Sequence, residues 1–152
     1  PNPGRCSDMT IVSRGVRGAT TVEDNSREAI LRGARQLLAL MIRRNDIRPE
    51  EVASAIFSVT SDLTAEFPAL AARQLGWLDV PLLCTNEIDV PGALGLCVRI
   101  LVNWNTDKSQ KDIKHVYIRE ARQLRPDLCE WPRVDFEELE AWISEHIASL
   151  DD

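Results

Sequence analysis

The stretch from Ile30 to Ile42 constrains the fold more than any other. Ile30, Leu31, Ala34, Leu37, Leu38, Met41 and Ile42 recur on a 3.6-residue period, which predicts a helix with one apolar stripe. Such a helix must bury its stripe against a second layer. The remaining apolar segments supply strands. "TIVS" opens one over about Ile11 to Ala19. "LCVRILVNW" puts Cys97, Arg99, Leu101 and Asn103 on one face and Val98, Ile100, Val102 and Trp104 on the other. "ASAIFSVTSD" and "KHVYI" read as further strands, and "DVPLLCT" as a short buried one. Asn25 is the expected N-cap of the first helix, with Glu28 as its box partner and a stop near Asn45. Pro49 to Glu51 reads as a helical turn. "EFPALAARQLGW" reads as a second helix, with Pro68 in its first turn and Gly76 as its stop. Asp135 is placed to cap a last helix over about 135–150, with Phe136, Leu139, Ile143 and Ile147 on one face. Strands alternate with helices, so the fold class is α/β (α+β).

At 152 residues the chain fits one domain with a real core. A loose extension is expected over residues 1–10, a domain over 11–128 and a tail over 129–152. The net charge of −6 argues against nucleic acid as a partner. No apolar run approaches the length that spans a bilayer, and the first ten residues lack the apolar stretch of a signal peptide. Cys6, Cys84, Cys97 and Cys129 form no CxxC pair, and they read as reduced thiols in a cytoplasmic protein. Metal, nucleotide and serine-hydrolase motifs are missing from the sequence. His146 reads as a surface residue, and His115 as a structural one on a strand face with Tyr117.

What is left is a set of arginines on or beside apolar strands. Arg17 closes the first strand, Arg99 lies between Val98 and Ile100, and Arg125 precedes Pro126. A structural ion pair or a solvated strand end accounts for any one of them. Arg99 resists that account, because an unpaired buried guanidinium is costly. Together they suggest a pocket for a small ligand carrying carboxylates, gripped by charge-assisted hydrogen bonds.

The segments "RGVRGATTVE", "TSDLTAEFPALAARQLGW", "VPLLCTNEIDVPG", "CVRILVNWNTD" and "HVYIREARQLRPDL" go further. In this order, over about residues 11–128, the chain resembles the monofunctional bacterial chorismate mutases of the trimeric α/β type. The resemblance implies a small barrel-like mixed sheet with helices packed outside, and a homotrimer with active sites between subunits. It also implies the [3,3] rearrangement of chorismate to prephenate, without metal, cofactor, covalent intermediate or proton transfer. Carried over by motif, Arg17 would hold a substrate carboxylate. Glu87 would accept a hydrogen bond from the ring hydroxyl, with Cys84 on the same wall. Arg99 would sit beside the ether oxygen, and Tyr117 would bind the side-chain carboxylate. Phe67 and Ala69 would shape the pocket, and Arg73 and Arg125 would stand near its entrance.

Two positions depart from the family pattern. Leu70 stands where lysine is common, and Leu83 where a small polar residue is common. Loss of a lysine would weaken capture of a dianion, and Arg73, about one helical turn on, would compensate in part. The last helix lies outside the resemblance and is expected to pack on its own assembly; a lid or a partner contact is the other reading. A non-catalytic carboxylate-binding protein on a similar fold remains an alternative at this point, as does an imine deaminase of similar shape.

Overall fold

The computed structural model describes residues 10–128 and 133–151. The expected loose extension thus falls outside the described residues except for Thr10, and so do Cys6 and Cys129. The described elements are strand β1 (Val12–Thr21), helix α1 (Arg27–Asn45), strand β2 (Val52–Val59) and helix α2 (Leu70–Gln74), then strands β3 (Leu82–Asn86), β4 (Cys97–Thr106) and β5 (Val116–Ile118), and helix α3 (Phe136–Ser149). Short 3₁₀ turns lie at Pro49–Glu51, Gln110–Asp112, Arg119–Leu124 and Pro126–Leu128.

The strands form one mixed sheet in the order β3-β2-β4-β1-β5. β4 runs antiparallel to both β1 and β2, whereas β3 and β5 pair in parallel at the two edges. α1 covers one side, where its stripe meets Val16, Phe57, Val98, Ile100, Val102 and Val116, all buried. Gly18 permits the close approach: a Cβ there would lie 2.5 Å from Met41 Sδ and 3.0 Å from Leu37 Cδ1. No helix among the described residues is long and apolar enough to cross a membrane.

Several boundaries differ from expectation. Ser26, in extended conformation, caps α1 by accepting from Ala29 N at 3.1 Å. Glu28 is then the second helical residue, one short of the box position. Asn25 instead staples the loop after β2: its Oδ1 accepts from Thr64 N and Ala65 N. α1 stops at Asp46, whose left-handed backbone (φ 58°) returns its N–H to Ile42 O. The second helix is one turn and a half, stopped by Gly76 at φ +94°. β1 runs two residues past Ala19, so Arg17 is mid-strand and does not close it. β3 is an edge strand and not a buried one; Leu83 is 62% exposed.

α3 is capped by Asp135, which accepts from Glu137 N and Glu138 N. Leu139 and Ile143 are buried, Phe136 packs on the same core, and Ile147 is 37% exposed. Gln36 on α1 donates to Glu140, and Arg43 pairs with Glu138 at 2.6 Å. His146 is more than a surface residue: it bonds Leu75 O at 3.2 Å and stacks on Trp142. The Gln36, Arg43 and Leu75 contacts tie α3 to α1 and to the end of α2.

Candidate active site

Strand register decides which side chains meet. Opposite residues on neighbouring strands share a face, and the pairs here align Tyr117, Ala19, Arg99, Ser58 and Thr85 in one row. The next row is Arg17, Leu101, Ile56 and Leu83. Both rows lie on the face away from α1. On this open face Arg17, Ile56, Ser58, Glu87, Arg99 and Leu101 line a cleft of about 210 Å³.

Glu87 arrives from the loop after β3. Its amide continues the ladder by donating to Val59 O at 2.9 Å. One carboxylate oxygen accepts from Ile88 N at 3.0 Å, and the other meets Arg99 Nη1 at 3.2 Å. The Arg99 side chain is 22% exposed and that of Glu87 31%. Arg99 Nε is buried and has no hydrogen-bond partner among the described residues. A buried donor left open beside a cleft is costly in isolation, and a ligand acceptor removes the cost.

The return of the Glu87 loop into β4 is held by a small network. Thr60 Oγ1 donates to Asp62 at 2.6 Å and accepts from Cys97 N at 3.0 Å, while Leu96 N donates to Asp62 at 2.9 Å. These bonds hold the Asp62 carboxyl below its ordinary range, Thr60 contributing most. Burial pushes the Cys97 thiol up, against the opposing pull of Arg99 and Arg17. Thr60 and Asp62 were not singled out from the sequence. Their signal is the "TSD" at the end of β2, a side-chain-bonded turn, though its partner strand is invisible there.

Tyr117 packs with Ala19, Cys97 and Ala121 at the β5 edge. Arg125 lies close enough to Tyr117 to interact, and it pairs with Asp127 through both carboxylate oxygens at 3.0 and 2.8 Å. The other expected residues lie elsewhere. Cys84 is opposite Phe57, on the α1 side of the sheet, and does not share a wall with Glu87 within one chain. It lines a separate hollow of about 410 Å³ with Leu63, Phe67 and Pro68. Ala69 donates its amide toward the Cys84 thiol, whose pKa burial raises. Phe67 is 72% exposed. Leu70 and Arg73 are on α2, the first packed against the core and the second exposed. Leu83 is exposed on the open face, in the Arg17 row. One chain therefore brings Arg17, Glu87 and Arg99 together at the cleft, with Tyr117 on the same face of the sheet, and leaves Phe67, Ala69, Cys84 and Arg73 on another surface.

Among the described residues no cluster of histidine, cysteine and carboxylate side chains could hold a metal ion. The family "Chorismate mutase type I" matches residues 13–128. A protein named chorismate mutase AroH from Thermus thermophilus is 53% identical over 116 residues, covering 76% of this chain and 95% of that protein. One of the same name from Bacillus subtilis is 47% identical over 116 residues, covering 76% and 91%. A solved structure of a chorismate mutase from Clostridium thermocellum superposes with a TM-score of 0.71 at 49% identity, covering 72% of this chain and 97% of that one.

Proposed function

The chain belongs to the type I chorismate mutase family and rearranges chorismate to prephenate, and from that premise we propose how its own residues do the work. Breaking the ether C–O bond runs ahead of C–C bond formation, so negative charge builds on the ether oxygen. Arg99 stabilises that charge more in the transition state than in the ground state. The observation that carries this role is the buried Nε of Arg99, without a hydrogen-bond partner among the described residues, beside a cleft that Arg99 shares with Arg17 and Glu87. Glu87, already bonded to Ile88 N and Arg99, accepts from the ring hydroxyl. Arg17 and Tyr117 grip the two carboxylates and hold the flexible substrate folded, with its reacting ends close.

We also propose a homotrimer, in which the open face of one subunit meets the Phe67 and Cys84 hollow of its neighbour. Exposed Phe67, Leu83, Ile88 and Val90 supply the apolar surface for that contact. Phe67, Ala69, Cys84 and Arg73 then complete the pocket from across the interface, with Arg125 near its mouth. Sedimentation should give the mass of three chains; a fully active monomer would overturn the arrangement.

No group has to change protonation during turnover. In a continuous ultraviolet assay kcat should therefore stay flat from about pH 6 to pH 9. A bell-shaped kcat profile would contradict electrostatic catalysis by fixed charges.

A further inference from the structure

Arg17 N donates to His115 Nδ1 at 3.0 Å. The bond lies one residue before the β1–β5 ladder starts, because β5 begins only at Val116, opposite Gly18. A three-residue edge strand specifies its register weakly. Here its entry is tied down on both sides. Lys114 N donates to Asn45 Oδ1 at 2.8 Å, and Asn45 Nδ2 donates to Lys114 O at 2.8 Å, which fixes residue 114 to the end of α1. His115 then supplies the link to β1.

We propose that His115, as a neutral imidazole accepting the Arg17 amide, is a positioning residue that sets the spacing between the two carboxylate grips, Arg17 and Tyr117. Arg17 is held through its own backbone. Tyr117 follows His115 by two residues in the same strand and pairs with Ala19, itself two residues beyond Arg17. One side-chain bond thus locks both ends of the substrate clamp in register. An acceptor is required, so the ring must be neutral at Nδ1. The groups facing it favour that state: burial acts first, then Arg125 from the turn after β5 and Arg17 from β1, and they lower its pKa from the ordinary 6.5. Protonation would replace the acceptor with a second donor opposite the Arg17 N–H.

The inference rests on Arg17 and Tyr117 being the grips. It is tested by steady-state kinetics on His115→Leu, which removes the acceptor, and on His115→Asn, whose amide oxygen falls close to the position of Nδ1. His115→Leu should raise KM about five- to tenfold with kcat little changed, as loss of one such bond implies. His115→Asn should stay within about twofold of the parent. Wild-type KM should also climb as pH falls below about 6.5 and through the lowered pKa of His115, whereas His115→Asn should show no climb over the same range. Equal KM for both variants, or an acid rise that persists in His115→Asn, overturns the proposal. If His115→Leu does not fold, the two pH profiles still decide. Arg17→Ala separates the readings. An unchanged KM there sinks the assignment of the grip itself; a raised KM there with normal His115 variants sinks only this inference.

Discussion

The two faces of the sheet are made from alternate residues of the same strands, yet they do opposite things. On the α1 side, Val16, Phe57, Val98, Ile100, Val102 and Val116 are sealed from solvent. On the open side, the intervening positions carry Arg17, Ser58 and Arg99, half-buried around a cleft, and Tyr117, half-buried on the same face. The closed face satisfies itself by packing. Among the described residues, the open face keeps a buried guanidinium nitrogen without a hydrogen-bond partner, an open donor that a ligand acceptor would satisfy. Stability and chemistry are thereby separated by one residue of register, and substitutions on the two sides should fail in different ways.

Phe57→Ala gives the largest effect on the closed side. It should destabilise the fold by about 3–5 kcal/mol in denaturant titrations, while the folded fraction keeps its kcat. A comparable loss of kcat per folded chain would erase the distinction between the faces. Leu139→Ala extends the closed side to α3, where a buried leucine meets the core. About 2–4 kcal/mol should be lost with KM and kcat unchanged; altered kinetics would instead favour a lid. On the open side, Arg17→Ala should raise KM by about 10- to 100-fold, the worth of a charge-assisted grip, and leave the thermal midpoint nearly where it was. Arg73→Ala is the mildest. Exposed on α2 beside Leu70, it should raise KM about two- to fivefold by weakening dianion capture. An unchanged KM would show that it does not compensate for the leucine.

How much of this was legible depends on how local each cause is. The α1 stripe and the two faces of β4 follow from periodicity alone, and the structure has them where the sequence puts them. The cap of α1 was missed by one residue, because Asn25 and Ser26 are both good caps. The choice between them rests on the loop at Thr64 and Ala65, which only tertiary contact brings near Asn25. The second helix was overextended for a similar reason: Pro68 and Gly76 bound it correctly but do not say that only Leu70–Gln74 turns as helix. β3 looked buried because its residues are apolar, and nothing in its sequence marks it as a sheet edge.

The site was legible in part. Arg99 stood out as a charge among apolar strand neighbours, whereas its pairing with Glu87, twelve residues earlier, comes from loop geometry and not from spacing. Cys84 was expected beside Glu87, only three residues away, but the pleat turns it to the other face. His115 read as structural, and its bond to a backbone amide 98 residues away leaves no trace in sequence.

The central claim is that Arg99 stabilises charge that exists only during the rearrangement. Its most direct test is kcat for chorismate loss in Arg99→Ala beside the parent enzyme, with folding of both confirmed. Loss of at least about 100- to 1,000-fold in kcat, the scale for one preorganised donor, is the predicted result. A kcat within about threefold of the parent would contradict the account.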